Sequence, residues 1–196
     1  MAERKNLLLL RHGEVQSPAG VYYVRRDYVL SPRGLEQAKR AGLRLQGAKV
    51  DKVYSSPLRR CLQTARLAWP GLGPTPLPEL CDLDFGRWEE VPIEQAMQDA
   101  EAWENWTRRG MENAPPEGES LRAFQDRCAE ALLRILSELA DGQTALVVTH
   151  YGNLRSMVAQ ALGMGEAGAG SLACAPGSLA RLEFLDGAPV LSLWNG

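Results

Sequence analysis

Four leucines in succession, Leu7 to Leu10, make the first apolar run of the chain, and they stop abruptly at Arg11-His12-Gly13-Glu14. A run this short, bounded by polar residues, fits a strand buried on both faces better than a helix, which needs about 10–12 residues. Val50 to Tyr54 and Thr144 to Val148 read as two more strands. Between the strands the period lengthens. Ser31-Pro32 supplies a helix cap and a first-turn proline, Leu35, Ala38, Gly42 and Leu45 recur at helical spacing, and Gly47 ends the pattern. Ser56-Pro57 repeats the start signal ahead of Leu62, Ala65 and Leu67. The longest stripe follows Ser120 and joins Leu121, Phe124, Cys128, Leu132, Ile135, Leu136 and Leu139, closing at Asp141-Gly142. Ile93 to Arg109 reads as a helix with Trp103 and Trp106 on one face, for which core packing is the ordinary role. Gly152-Asn153 reads as a turn before a helix over Leu154 to Leu162, and Gly163 to Gly170 as a loop. Leu179 to Leu185 and Val190 to Leu193 alternate about Asp186-Gly187, which predicts a closing hairpin. Strands alternating with helices predict a layered α/β fold. No repeat or linker divides the chain, so residues 1–196 read as a single domain.

The chemistry gathers where apolar runs end. The chain has 2 histidines. His12 follows the first strand and His150 ends Leu146-Val147-Val148-Thr149-His150, each with a glycine close behind. In an open α/β sheet, ligands bind beyond the carboxyl ends of strands. Arg59 and Arg60 fall in the first turn of the second helix, where the dipole disfavours cations. Helix N-termini attract anions instead, so an anion bound by at least one of the two arginines explains their position. The long polar and aromatic connection from Glu14 to Leu30 reads as a functional loop. One of Arg25 and Arg26 in it is expected to face an anionic substrate over His12. Acidic and apolar residues alternate from Glu79 to Glu89, so several carboxylates are expected on one side of an extended segment.

Composition narrows the classes. Hydrophobic residues make up 45%, charged residues 23%, and the net charge is −2, which fits a globular chain and argues against a nucleic-acid partner. No apolar run approaches the ~20 residues of a membrane span, and no leader pattern precedes the first strand, so a cytoplasmic location without membrane association is expected. Cys61, Cys81, Cys128 and Cys174 show no CxxC spacing and read as buried thiols. Two histidines, arginines and a carboxylate at strand and helix ends suit phosphoryl transfer. A neutral histidine can attack phosphorus, arginines can neutralise the equatorial oxygens, and a carboxylic acid can protonate the leaving oxygen. The phosphate-binding GxxxxGK[ST] loop and the kinase motifs are absent from the sequence.

Four stretches in order resemble the histidine phosphatase superfamily, the phosphoglycerate mutase-like proteins. They are Arg11-His12-Gly13-Glu14, Ser55-Ser56-Pro57-Leu58-Arg59-Arg60-Cys61-Leu62-Gln63-Thr64-Ala65, Leu83-Asp84-Phe85-Gly86-Arg87-Trp88-Glu89 and Val147-Val148-Thr149-His150-Tyr151-Gly152. Gly20 to Ser31 resembles the corresponding stretch of α-ribazole phosphatase-like members, with Val24 and Arg26 in place of a glycine and a threonine, and broad-specificity phosphatases look similar. The resemblance implies a three-layer α/β/α fold with a mostly parallel central sheet. It implies a phosphomonoesterase in which His12 becomes a phosphohistidine while Arg11, Arg60 and His150 form the phosphate pocket. Asp82 falls where the family places a glutamate as general acid, with Asp84 and Glu89 as alternative donors. Tyr23, Arg25 and Arg26 would belong to a substrate lid. No metal or other cofactor is implied, since Arg11 and Arg60 would repel a dication near the histidines and Asp82. The expected partner is a small phosphorylated metabolite. The number of copies in the assembly stays open, with a homodimer as one outcome. Phosphoglycerate mutase-type transfer and a non-catalytic phospho-ligand-binding protein are the alternatives.

Overall fold

The computed structural model describes residues 3–18, 20, 21, 24–108 and 110–196, with Glu166 and Ala167 described in backbone only. The leucine run lies inside β1 (Arg4–Arg11), and its side chains alternate between two cores. Leu7 and Leu9 enter one with Phe124, Cys128, Ile135, Leu154 and Met157, while Leu8 and Leu10 enter the other with Ala41, Leu45, Cys61 and Ala65. A strand covered on both faces needs no polar residue, which is why four leucines follow one another. Each of them, fully buried, contributes about 1.5–3 kcal/mol.

Six strands form the sheet, in the order β3 (Thr75–Pro76), β2 (Lys52–Ser55), β4 (Thr144–Thr149), β1, β5 (Leu179–Leu185), β6 (Ala188–Leu193). Neighbours from β3 to β1 are parallel, and β5 and β6 add the expected antiparallel hairpin. Helices α1 (Pro32–Arg44) and α2 (Arg59–Ala68) cover one face, and α5 (Leu121–Glu138) and α6 (Tyr151–Ala161) the other. The result is the three-layer α/β/α arrangement with a mostly parallel sheet. In the β1–β4 register Arg11 lies beside Thr149, and in the β2–β4 register Ser55 lies beside Val148. His12, Ser56 and His150 therefore leave the sheet side by side.

Several local expectations are corrected. Ile93 to Arg109 is two helices, α3 (Ile93–Ala96) and α4 (Ala100–Thr107). Asp99 restarts the chain by accepting from the Ala102 amide at 3.2 Å, and Arg109 lies outside the described residues. Gly152 and Asn153 are helical, not a turn: α6 begins directly after His150. A Cβ on Gly152 would lie 3.1 Å from the Phe124 ring, so this glycine serves close packing of α6 on α5. The expected loop at 163–170 contains a short helix, α7 (Glu166–Gly170). Ser56 does not cap α2. That helix starts at Arg59 without a side-chain cap, and the Arg59 amide meets the Asp27 carboxylate at 2.6 Å.

Behind His12, backbone packs on backbone. A Cβ on Gly34 of α1 would lie 2.0 Å from the Glu14 carbonyl oxygen, and one on Gly13 would lie 2.4 Å from the Gly34 carbonyl oxygen. Neither contact can relax by a side-chain rotation. Gly34→Ala is therefore expected to cost about 1–3 kcal/mol, read as a fall in Tm of roughly 2–10 °C by circular dichroism. An unchanged Tm would show that the His12 loop yields freely.

Candidate active site

The end of β1 delivers Arg11 and His12. The His12 amide continues the ladder to the Thr149 carbonyl at 3.0 Å, and Thr64 Oγ1 of α2 accepts from the Gly13 amide at 3.2 Å. His12 is buried, and its Nδ1 lies 2.7 Å from the Gly13 carbonyl oxygen. A carbonyl can only accept, so Nδ1 carries the proton and Nε2 keeps its lone pair. Burial, then the Arg60 cation, depress the His12 pKa to about 3, outweighing the Gly13 bond. The imidazole is neutral at physiological pH.

His150, at the end of β4, is fully buried with its ring centroid 5.1 Å from that of His12. Arg60 Nη2 donates to His150 Nδ1 at 3.2 Å, so Nε2 carries the proton and donates to Ser56 Oγ at 2.9 Å. Burial and the neighbouring Arg60 lower the His150 pKa well below its ordinary value. The Cys61 thiol lies 3.5 Å from His150 Nε2, and burial raises its pKa beyond any role as a thiolate nucleophile at neutral pH.

Arg60 is buried completely. Its Nη1 donates to the Arg26 carbonyl at 2.8 Å and its Nη2 to the Val24 carbonyl, while Nε has no partner among the described residues. Arg11 donates to the Cys174 carbonyl at 2.7 Å, and its guanidinium lies 5.0 Å from the Tyr151 ring centroid. Arg155 approaches that ring to 4.8 Å, so one tyrosine steadies two cations.

A cavity of about 540 Å³ opens onto this cluster. Arg11, His12, Asp82, Tyr151 and Arg155 supply its polar wall, and Val21, Leu83, Phe85, Met111, Leu121 and Phe124 its apolar wall. Arg60 and His150 stand behind His12 and Asp82 rather than on the cavity surface. Asp82 Oδ2 is 3.5 Å from His150 Nδ1 and 3.9 Å from Arg60 Nη2, and Oδ1 accepts from the Leu83 amide at 3.0 Å. Burial raises the Asp82 pKa to about 6 against the opposing pull of Arg60, so this carboxyl can hold a proton in mildly acidic solution. A second cavity of about 400 Å³, near the start of β1 between α5 and β5, includes neither histidine. Among the described residues no group of three or more histidine, cysteine, aspartate or glutamate side chains is set to hold a metal ion.

The structure brings Arg11, His12, Arg60, Asp82 and His150 together from four separate stretches of chain. It does not gather Arg25, Arg26, Asp84 or Glu89 there. Arg25 turns to the Asp82 carbonyl (3.1 Å), Glu119 (3.4 Å) and Asp84 (3.5 Å), and Arg26 pairs with Glu90 at 2.8 Å. Neither side chain lines the cavity over His12, and Tyr23 lies outside the described residues. The carboxylates of residues 79–89 do not share one side, because 3₁₀ turns at Pro78–Leu80 and Gly86–Trp88 bend the segment. Asp84 caps the Gly86 amide at 2.8 Å and Glu89 receives the Arg25 amide at 2.8 Å, leaving Asp82 as the carboxyl on the cavity. Trp103 and Trp106 pack on Trp88 and Phe85, backing this segment. Sequence reasoning passed over Ser56, Thr64, Tyr151 and Arg155; the first three were signalled only by their place inside the motifs around the arginine and second histidine, and Arg155, beyond the second motif, by nothing in the sequence.

The chain is similar to known proteins. Residues 7–196 match the family described as Histidine phosphatase superfamily (branch 1). An adenosylcobalamin/alpha-ribazole phosphatase of Escherichia coli is 37% identical over 162 residues, 81% of this chain and 79% of that protein. Phosphoserine phosphatase 1 of Hydrogenobacter thermophilus is 30% identical over 81% of this chain and 76% of its own. The crystal structure of the alpha-ribazole phosphatase from Shigella flexneri superposes with a TM-score of 0.91 at 30% identity, covering 97% of this chain and 96% of that one.

Proposed function

The chain belongs to the histidine phosphatase superfamily and is a phosphatase of that type, and on this premise we propose that it hydrolyses monoesters of a small phosphorylated metabolite through a phosphohistidine on His12. The observation that carries the reading is the His12 tautomer: Nδ1–H is tied to Gly13, so the Nε2 lone pair serves a cavity that also holds the Asp82 carboxyl. Nε2 attacks phosphorus, the P–O bond to the leaving group breaks, and the Asp82 carboxylic acid gives its proton to the departing oxygen. Asp82, now a carboxylate, takes a proton from water as that water attacks the phosphohistidine. The P–N bond breaks, and inorganic phosphate leaves with His12 restored. Arg11 and Arg60 neutralise the phosphoryl oxygens, and His150, polarised by Arg60 and oriented by Ser56, completes the pocket. Because carbonyls of Val24 and Arg26 occupy the Arg60 terminal nitrogens, the 24–27 loop gives up these bonds when a phosphate reaches Arg60. No metal or other cofactor is needed for these steps.

The apolar wall suits a flat, apolar leaving group, which supports an α-ribazole phosphate over phosphoserine or phosphoglycerate as substrate. The chain is read as a single cytoplasmic domain without nucleic-acid or membrane partners. A panel of phosphomonoesters assayed for phosphate release with EDTA present tests the reading. Undiminished activity in EDTA, with kcat/KM highest for flat apolar leaving groups, is expected. Loss of activity in EDTA, net transfer of phosphate between positions of glycerate, or binding without turnover would overturn it.

A further inference from the structure

The carbonyls of residues 79–82 close and follow the 3₁₀ turn at Pro78–Leu80 and join no sheet ladder, and side chains hold all four in succession. Thr149 Oγ1 donates to the Leu80 carbonyl at 2.8 Å and Asn153 Nδ2 to that of Cys81 at 2.9 Å. Arg127 of α5 does more. Its Nη1 donates to the Glu79 and Cys81 carbonyls at 2.8 and 2.7 Å, and its Nη2 to the Asp82 carbonyl at 3.2 Å. Its remaining donors form a fork on Glu119, Nε to Oε1 at 2.9 Å and Nη2 to Oε2 at 2.7 Å, so all five N–H groups of the guanidinium are used. Arg25 joins from the other side, donating to the same Asp82 carbonyl at 3.1 Å and to Glu119 Oε2 at 3.4 Å.

Among the described residues, by contrast, the Asp82 side chain accepts a hydrogen bond from the amide of its neighbour Leu83 alone, with His150 Nδ1 no nearer than 3.5 Å. Its position over the cavity is therefore inherited from its backbone. We infer that Glu119 and Arg127 are positioning residues for proton transfer: they fix the Asp82 carbonyl, and through it the carboxyl that faces the leaving oxygen. Lysine cannot replace Arg127, because a single ammonium cannot span three carbonyls and a carboxylate. Glutamine at 119 breaks the fork, since its amide nitrogen is a donor facing donors. The inference rests on Asp82 being the proton donor.

The test uses leaving groups. The phenolate of p-nitrophenyl phosphate departs with little protonation, whereas the alkoxide of glycerol phosphate needs a proton. kcat/KM reports transfer to His12 for both. Glu119→Gln and Arg127→Lys are expected to lose about 10-fold or more with glycerol phosphate and less than about 3-fold with p-nitrophenyl phosphate. Asp82→Asn is expected to show the same selectivity, enlarged. Equal losses on both esters, or none, in the Glu119 and Arg127 variants beside a selective Asp82→Asn would reduce the pair to a structural tie and overturn the inference. An unselective Asp82→Asn would overturn the donor assignment itself, and the inference with it. Thermal unfolding of each variant shows whether it folds. Should Arg127→Lys fail to fold, Arg25→Lys, on a part-exposed side chain, removes one bond to the same carbonyl and is expected to show a smaller loss of the same selectivity.

Discussion

Replacing His12 by alanine is expected to lower phosphomonoester turnover by roughly 10⁴-fold or more, because the substitution removes the nucleophile while the arginines that bind phosphate remain. Steady-state phosphate release and a direct binding measurement with inorganic phosphate separate the two effects: turnover collapses and binding persists. The change also alters the response to acid. With His12 depressed from 6.5 to about 3 in the folded chain, the unfolded chain binds the extra proton between those values, so this histidine makes stability rise with pH across that window. The alanine variant is expected to lose that part of the pH dependence, so its Tm falls less than that of the wild type between pH 6.5 and pH 4. An equal fall in both proteins would show that His12 is not held neutral.

Asp82→Asn is expected to cost about 10²–10³-fold in kcat/KM with an alkyl phosphate and much less with p-nitrophenyl phosphate, the range that general acid catalysis supplies. In the wild type the activity toward alkyl esters should decline above about pH 6, where Asp82 loses its proton, and this limb should vanish in the variant. A bound phosphate dianion favours the protonated acid further, so the limb in kcat lies at higher pH than the limb in kcat/KM. In the Asp82→Asn variant, stability is expected to move the opposite way from catalysis. The folded chain keeps the Asp82 proton between 3.8 and about 6 while the unfolded chain gives it up, so the wild type loses stability as pH rises through that window. Asparagine removes the penalty. At pH 7 its Tm is expected to exceed the wild-type value by roughly 2–6 °C, with no such gain at pH 3. A lower Tm at pH 7 would mean that Asp82 is held as a stabilised carboxylate and is no acid.

Much of this was legible because burial leaves a plain signature in sequence. Leu7 to Leu10 are apolar without interruption since both faces of β1 are covered, and the stripe through Phe124, Cys128, Leu132 and Ile135 marks the single covered face of α5. The two histidines were conspicuous as polar residues at the ends of such runs. What stayed hidden depends on partners far away in the chain. Asp82, Asp84 and Glu89 look alike in sequence, and they are told apart by Arg25, Arg127 and the two 3₁₀ turns that aim one into the cavity and bind the others elsewhere. Arg25 and Arg26 looked equally free to meet a substrate, yet carboxylates at 84, 90 and 119 claim both. Asn153 read as a turn residue by its type, whereas its amide is buried in α6 against the Cys81 carbonyl. Local propensity has no means of registering such a bond.

The most direct measurement is to mix enzyme with a phosphomonoester, quench at neutral or alkaline pH within the first turnover, and map the phosphorylated peptide by mass spectrometry. One phosphoryl group on His12, absent in His12→Ala and lost on dilution into buffer without substrate, is the predicted result. Turnover with no phosphorylated protein at any time, or a phosphoryl group on another residue, would contradict it.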